Sequence, residues 1–275
     1  MTYKVYHCKG NPDYLLLFDF DETYYPHELQ NWQLQALYEL EEYLERIAQK
    51  KNIRIGWVTG SSLEEIEKKM KAAKMTYYPH FIASNLGTEL WEINQQGEFS
   101  QNQEWVEGIK RSGFNHRVVE ELINELKQVY GIQLKARTQF GQKQFKMNYY
   151  YFIEDSARVK YDLPIIKQLA QNSGMSININ RCNPLAGDPA NAFDVNFIPL
   201  NTGKRAVADF VMKRFKISVA NTFAFGDSGN DIEMLKAVEH GYLLNNATEE
   251  AKQLHNRITP EPYAKGIKNV CMLHF

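Results

Sequence analysis

The chain has 275 residues, of which 44% are hydrophobic and 24% charged, so it can bury one large core or two and wholesale disorder is excluded. The formal net charge is −1 and no long basic run occurs, so we expect neither nucleic acid nor membrane as a partner. Three scattered cysteines, no signal peptide and no apolar run of membrane-spanning length together predict a cytoplasmic protein.

The first predicted strand, at residues 14–18, is apolar and ends in two carboxylates, Asp19 and Asp21, one residue apart. In an extended strand alternate side chains share a face, so both carboxylates should point the same way. Burying two adjacent carboxylates is costly without a cation to offset their charge. The pattern therefore predicts a divalent metal at the carboxyl end of the strand, where open α/β sheets have their active sites.

Strand and helix patterns then alternate. Residues 29–50 are amphipathic at helical spacing, residues 53–58 form a second apolar strand, and the polar segment Thr59-Gly60 follows directly. Ser61 or Ser62 is a suitable N-cap for the next helix, and residues 80–84 form a third strand. This alternation predicts right-handed crossovers and a parallel sheet covered on both faces.

The pattern changes after residue 88. Hairpin-like turns near residues 94–97, helices near 117–130 and 163–172, and strands near 139–152 and 176–180 predict an α+β unit with one solvated face. We therefore predict an α/β fold, with a Rossmann-like, doubly wound parallel sheet core formed by residues 1–88 and 195–275. Residues 89–194 are predicted to form an inserted α+β cap domain.

The core pattern resumes with a strand near residues 194–199 and a helix from Lys204 to about Phe215. A strand at residues 222–225 then ends in Gly226-Asp227, with Asn230-Asp231 close behind. A short helix at 232–238 and a strand at 241–244 complete the predicted core.

Polar groups thus follow several predicted core strands or begin a helix. The carboxyl ends of parallel strands share one edge of a sheet, so these groups can converge. Taken singly, they suit ordinary roles: Thr59 as an N-cap, Lys204 as a solvated lysine, and Asp227 as a turn residue. Together they match phosphoryl transfer through an aspartyl-phosphate, which requires a nucleophile, an acid/base, phosphate-binding groups and Mg²⁺. The candidates for these tasks are Asp19, Asp21, Thr59, Gly60, Lys204 and Asp227.

These motifs, in this order, resemble those of the haloacid dehalogenase superfamily of phosphatases. The matching segments are residues 19–23, residues 58–61, Lys204 and residues 226–231. The resemblance implies that Asp19 is the nucleophile and Asp21 the general acid/base. It also implies that Mg²⁺ is bound by the Asp19 side chain, the Asp21 backbone carbonyl and Asp227, with Asn230 and Asp231 supporting the loop. The insertion resembles the large α/β cap of the Cof and sucrose-phosphatase-like branch.

A narrower resemblance, to bacterial phosphatases of aminosugar phosphates, covers residues 18–24, 56–62 and 178–189. It implies a hexose phosphate substrate such as 3-amino-3-deoxyglucose 6-phosphate. A polar loop in the insertion offers hydrogen-bonding groups for a sugar, and a carboxylate such as Asp188 suits an amino group. Turn formation is the alternative role of this loop. The specificity candidates are Asn180, Arg181, Asn183 and Asp188, followed by Lys143, Lys146 and Asn148.

Other functions remain open at this point. The substrate could be sucrose phosphate, a flavin phosphate or a general metabolite phosphate. A signalling receiver domain also combines an Asp, a Thr and a Lys, but the chain length, the insertion and the second carboxylate at Asp21 disfavour it. A non-catalytic sugar-phosphate binding protein would not need both Asp19 and Asp21. A monomer and a homodimer fit the sequence equally well.

Overall fold

The computed structural model describes residues 3–137, 142–182, 184 and 187–275. The chain divides into two compact units, a first one of Met1–Asn102 with Gly203–Phe275 and a second one of Gln103–Thr202. Within the described ranges, no helix combines the length and the apolar character that crossing a membrane would require.

The elements follow one another in three stretches of the chain. The first stretch contains β1 (Lys4–Val5), β2 (Tyr14–Phe18), α1 (Asn31–Lys51), β3 (Ile53–Val58), α2 (Leu63–Ala72), β4 (Tyr77–Tyr78), β5 (Phe81–Ser84), β6 (Glu89–Ile93) and β7 (Phe99–Gln101). The second contains α3 (Gln103–Lys110), α4 (His116–Tyr130), β8 (Lys135–Ala136), β9 (Gln142–Lys143), β10 (Lys146–Phe152), α5 (Ser156–Asn172), β11 (Met175–Arg181) and β12 (Ala192–Pro199). The third contains α6 (Lys204–Phe215), β13 (Thr222–Gly226), α7 (Ile232–Lys236), β14 (His240–Leu243), α8 (Glu249–Leu254) and α9 (Tyr263–His274).

A seven-stranded sheet in the order β14-β13-β2-β3-β5-β6-β7 forms the centre of the first unit. The strands from β14 to β5 are parallel, whereas β6 and β7 are antiparallel to their neighbours. Four of the five residues of β2 are fully buried, as expected for a strand covered on both faces. The parallel sheet predicted from the strand–helix alternation is therefore present, and it places β2 between β13 and β3.

The boundaries between the units fall later than those predicted at residues 88/89 and 194/195. At the first boundary, β6 and β7 continue the core sheet because β6 pairs with β5, so residues 89–102 lie in the first unit. At the second, β12 pairs with both β10 and β11, which keeps residues 195–202 in the second unit. The change in sequence pattern near residue 89 marks a switch from parallel to antiparallel pairing within one sheet.

An antiparallel sheet in the order β11-β12-β10-β8, with β9 paired to β10, forms the second unit. Tyr149 and Tyr151 pack into a buried cluster with side chains from α4 and α5, such as Leu126 and Ile166. Asn148 and Tyr150 alternate with them and face the opposite, polar side of the sheet. Helix α5 begins at Ser156, earlier than its predicted start at 163, and Pro164 lies inside the helix.

Candidate active site

The candidate site lies where three neighbouring parallel strands end. Phe18 at the end of β2 is level with Phe225 of β13 on one side and with Trp57 of β3 on the other. Asp19, Thr59 and Asp227 therefore leave the same edge of the sheet. The backbone N–H of Asp19 donates to the Phe225 carbonyl at 2.9 Å. The hydrogen bonding between β2 and β13 therefore continues as far as Asp19. The predicted convergence at one sheet edge thus occurs.

Lys204 links two of the buried carboxylates. It is the first residue of α6, and its Nζ lies 2.8 Å from Oδ1 of Asp19 and 2.7 Å from Oδ1 of Asp231. The three side chains are at most 7% exposed. The preceding Gly203 has φ +95°, a conformation that favours glycine, and it brings the chain into the helix at this position. Lys204 is therefore fixed by the helix start and by two ion pairs.

Burial and charge shift the pKa values of this cluster. Burial, reinforced by the neighbouring Asp231, raises the pKa of Asp19 to about 7 despite the opposing effect of Lys204. Burial and the carboxylates of Asp231 and Asp19 raise the pKa of Asp227 well above its ordinary value. Burial disfavours the Lys204 ammonium, but Asp19 and Asp231 outweigh this effect and hold its pKa above the usual range. The carboxylates thus carry more negative charge than Lys204 offsets.

Asp231 organises the loop that follows β13. Its Oδ2 accepts hydrogen bonds from the backbone N–H groups of Asp227 and Ser228, both at 3.1 Å, and from the Ser228 hydroxyl at 3.3 Å. The same hydroxyl lies 3.0 Å from Oδ1 of Asn230. Because Asp231 Oδ1 is engaged by Lys204, both of its oxygens have donors within the protein. This arrangement suits a carboxylate that shapes the loop.

The buried carboxylates form a suitable place for a cation. One oxygen from each of Asp19, Asp227 and Asp231 lies within 4.8 Å of the others. Oxygen-only donors suit Mg²⁺, and the excess negative charge is what a divalent ion would offset. Asp19 and Asp227 fit the role of side-chain ligands better than Asp231, whose oxygens already accept hydrogen bonds. The Thr23 hydroxyl donates to Oδ1 of Asp227 at 3.2 Å and so fixes its orientation.

The Asp21 side chain does not join this group, contrary to the expectation that Asp19 and Asp21 would point the same way. Strand β2 ends at Phe18, so the two-residue alternation of an extended strand does not continue through the loop. Oδ2 of Asp21 accepts a hydrogen bond from the Ser61 hydroxyl at 2.5 Å, and Oδ1 contacts the Lys69 ammonium. Ser61 was expected only as an N-cap and as part of the motif at residues 58–61, and no role was expected for Lys69. The helical spacing of Lys69 from Ser62 is a signal that could have suggested it.

Thr59 and Gly60 connect β3 to the start of α2. The Thr59 Oγ1 accepts the backbone N–H of Ser61 at 3.1 Å. Ser62 is the N-cap of α2 and forms a reciprocal capping box with Glu65. A hydroxyl and backbone amides at a helix start form a suitable anion-binding arrangement. These residues can therefore bind phosphate oxygens beside Asp19.

Glu22 is a second feature that the sequence did not reveal. It has φ +56°, which costs a non-glycine residue conformational energy and often marks a functional loop. Its carboxylate accepts hydrogen bonds from the His27 backbone N–H at 2.6 Å and the Tyr263 hydroxyl at 3.0 Å. The Asn246 side-chain amide donates to its backbone carbonyl at 2.7 Å. Distant segments of the first unit thus hold the loop that contains Asp21.

The second unit has a polar cluster of its own. Asp188 accepts a hydrogen bond from the Tyr150 hydroxyl at 2.7 Å and forms an ion pair with Arg137 at 3.1 Å. The Arg137 guanidinium also lies 3.8 Å from Asp194, whose carboxylate accepts the Asn148 amide at 2.6 Å. We refer to these five side chains as the Asp188 cluster. Arg137, Asp194 and the contact with Tyr150 were not predicted.

The other predicted specificity residues are distributed differently. Asn180 pairs in register with Asp194, and its amide donates to Asn178 at 2.7 Å, so it lies on the polar face. Arg181 pairs with Phe193 and places its guanidinium 5.3 Å from that ring, on the opposite face of the sheet. Asn183 lies outside the described residues. The structure therefore brings Asn180 and Asp188 to one face and separates Arg181 from them.

Comparisons with known proteins point to one family. The sequence model of sucrose-6F-phosphate phosphohydrolase matches residues 12–271. The kanosamine-6-phosphate phosphatase of Bacillus subtilis is 45% identical over 267 residues, covering 97% of this chain and 94% of that protein. The crystal structure of yhjK, a haloacid dehalogenase-like hydrolase from Bacillus subtilis, has a TM-score of 0.79 at 43% identity, covering 99% and 95% of the two chains. Sucrose-phosphatase from Synechocystis shares the fold, with a TM-score of 0.74 at 17% identity and coverage of 95% and 98%.

Proposed function

This chain belongs to the sucrose-6F-phosphate phosphohydrolase family of haloacid dehalogenase-like phosphatases, and we propose that it hydrolyses kanosamine 6-phosphate through an aspartyl-phosphate on Asp19. It is a phosphoric monoester hydrolase. The observation that carries the residue assignment is the contact of buried Asp19 with Lys204, among carboxylates suited to a divalent cation.

In the first step, an oxygen of Asp19 attacks phosphorus while the bond from phosphorus to the sugar oxygen breaks. Asp21 donates a proton to the departing sugar oxygen, which therefore leaves as a neutral alcohol. Thr59 and the backbone amide of Gly60 hold the phosphate oxygens, and the Lys204 ammonium offsets their charge. The products of this step are the free sugar and an aspartyl-phosphate.

In the second step, Asp21 takes a proton from water as the water oxygen attacks phosphorus. The bond between phosphorus and the Asp19 oxygen breaks, which restores the carboxylate and releases inorganic phosphate. Asp21 regains the proton it gave up, so the cycle closes. The different surroundings of the two carboxylates support this division of tasks, because Asp19 is deeply buried whereas Asp21 is partly exposed.

Phosphatases of this superfamily use Mg²⁺, and in this chain the Asp19 side chain, the Asp21 backbone carbonyl and Asp227 are the proposed ligands. Bound Mg²⁺ supplies positive charge that offsets the repulsion between a carboxylate nucleophile and a phosphate group. Asn230 and Asp231 support the ligand loop through the contacts of Ser228 and Asp227. Thr23 orients Asp227 from the other side.

The proposed sugar preference is supported by the 45% identity with the kanosamine-6-phosphate phosphatase and by the charge of the Asp188 cluster. The surface formed by the Asp188 cluster contains two carboxylates, those of Asp188 and Asp194, and one guanidinium, that of Arg137. An ammonium group on a sugar is attracted by such a surface, and the neighbouring amides suit its hydroxyls. We therefore assign Asp188, with Asp194 and Asn180, to recognition of the aminosugar.

A phosphate-release screen tests this function. The purified chain is incubated with kanosamine 6-phosphate, glucose 6-phosphate, sucrose 6-phosphate and a flavin phosphate, each with Mg²⁺ and with a chelator. We expect Mg²⁺-dependent release and the highest kcat/KM for kanosamine 6-phosphate. A higher kcat/KM for another ester would identify that ester as the better substrate. No phosphate release from any of the four esters would favour the alternative of a non-catalytic sugar-phosphate binding protein.

A further inference from the structure

Both carboxylate oxygens of Asp21 are held from the side of α2. The Ser61 hydroxyl donates to Oδ2 at 2.5 Å, and the Lys69 ammonium forms an ion pair with Oδ1. The side chains of Lys69 and Asp21 are 24% and 21% exposed. The acid/base candidate is therefore oriented by two partners that belong to no part of the phosphoryl-transfer machinery described above.

The helix fixes the origin of the Lys69 side chain. Ile66 and Met70 on the same helix are fully buried, and the capping box at Ser62 secures its first turn. Side chains of a helix lean toward its N-terminus, so a lysine beside the buried stripe is directed back toward the segment that contains Ser61. Both partners of Asp21 thus come from one rigid element and its N-terminal loop.

A role in stability alone does not account well for this pair. Partly exposed ion pairs contribute about 0–1 kcal/mol to the free energy of unfolding. By contrast, misplacing a reacting group by about 1 Å can cost about 100-fold in rate. A contact that fixes the carboxylate of Asp21 therefore has a larger effect on proton transfer than on folding.

The two partners also differ in hydrogen-bonding capacity. An ammonium can only donate, whereas a hydroxyl can donate or accept. Oδ1 must therefore remain an acceptor while Lys69 contacts it. Oδ2 can carry a proton, because the Ser61 hydroxyl can rotate to accept it.

We infer that Lys69 is a positioning residue for Asp21, which it orients so that Oδ2 is the oxygen that gives and takes the proton. The inference rests on the proposed function. In the first step the proton passes from Oδ2 to the sugar oxygen as the bond from that oxygen to phosphorus breaks. In the second step Oδ2 receives a proton from the attacking water while the Asp19 oxygen leaves phosphorus.

Substrates with different leaving groups distinguish a role of Lys69 in positioning Asp21 from a purely structural role. An alkyl oxygen needs a proton to depart, whereas 4-nitrophenolate is stable without one. The Lys69→Met variant is compared with wild type in single-turnover measurements of the phosphorylation step, with kanosamine 6-phosphate and with 4-nitrophenyl phosphate. We expect phosphorylation by the sugar phosphate to slow about 100-fold and phosphorylation by the aryl phosphate to change little.

Matched variants complete the test. Lys68→Met removes an exposed lysine from the same helix and should leave both rates unchanged. Lys69→Arg should restore part of the loss because it returns a cationic donor, whereas Lys69→Gln, which lacks the charge, should show the same loss as Lys69→Met. Equal losses with both substrates, or no loss with either, would overturn the positioning role. If wild type is not phosphorylated by either substrate, the proposed function itself fails.

Discussion

Gly226 lies directly against the carboxylate of Asp231. A β-carbon added at Gly226 would be 2.3 Å from Cγ of Asp231, far closer than two such carbons can approach. Asp231 accepts hydrogen bonds from the loop amides and forms an ion pair with Lys204. The absence of a side chain at the end of β13 therefore allows one carboxylate to organise both the loop and the lysine.

Gly226→Ala should disrupt this arrangement. The added methyl group must displace Asp231, so we expect a destabilisation of about 1–3 kcal/mol and a loss of phosphatase activity. Gly229→Ala is the matched control, because a β-carbon there meets no atom within 4 Å. Urea denaturation and phosphate release measure the two effects. Activity of Gly226→Ala equal to that of Gly229→Ala would contradict the role assigned to Asp231.

The stability of the protein freed of metal should fall as pH rises. The pKa of Asp19 is raised to about 7, so between its ordinary value and about 7 the folded state holds a proton that the unfolded state has released. The stability associated with that proton is present at low pH and is lost as pH approaches and passes 7. We expect thermal unfolding with a chelator present to show a lower Tm at pH 8 than at pH 5.

Asp19→Asn should reduce this dependence because the amide does not titrate. Mg²⁺ added to wild type at pH 8 should raise the Tm, since a ligand that binds only the folded state stabilises it. Burial also raises the pKa of Glu41 to about 7. Glu41 therefore makes the Tm fall with rising pH in wild type and in Asp19→Asn alike. If the Tm changed with pH equally in Asp19→Asn and in wild type, Asp19 would not be the group that causes the pH dependence.

Sugar selectivity should depend on the charge of Asp188. Asp188→Asn keeps an acceptor for the Tyr150 hydroxyl but removes the negative charge. We expect the preference for kanosamine 6-phosphate over glucose 6-phosphate to fall about 10- to 100-fold, because a hydrogen bond to a charged group contributes about 1.5–3 kcal/mol. Hydrolysis of 4-nitrophenyl phosphate should be unaffected. Glu125→Gln, an exposed carboxylate on α4, serves as the control, and an equal loss with all three substrates would argue against recognition by Asp188.

The sequence predicted the convergence of groups at the sheet edge because strand periodicity and topology determine it. Asp19, Thr59 and Asp227 each follow a strand, and parallel neighbours necessarily place such residues together. The motifs also drew attention to Lys204. What one sequence could not supply was the direction of each side chain in the loops, as the divergence of Asp19 and Asp21 illustrates.

Contacts between segments that are distant in the chain could likewise not be predicted from the sequence. Lys69 meets Asp21, and Tyr263 meets Glu22, across long sequence separations that no periodicity encodes. The observed boundaries of the inserted unit differ from the predicted ones for a related reason. The pairing of β6 with β5 depends on backbone hydrogen bonds, which the change in composition near residue 89 does not reveal.

Trapping the covalent intermediate tests the central assignment most directly. In Asp21→Asn the base for the second step is missing, whereas 4-nitrophenyl phosphate can phosphorylate the protein without an acid. After a single turnover with Mg²⁺ and an acid quench, mass spectrometry of the digest should find a phosphoryl group on Asp19. Asp19→Asn should carry none and should lose turnover by about 10⁴-fold or more while remaining folded. A phosphoryl group on another residue, or normal turnover by Asp19→Asn, would contradict the account.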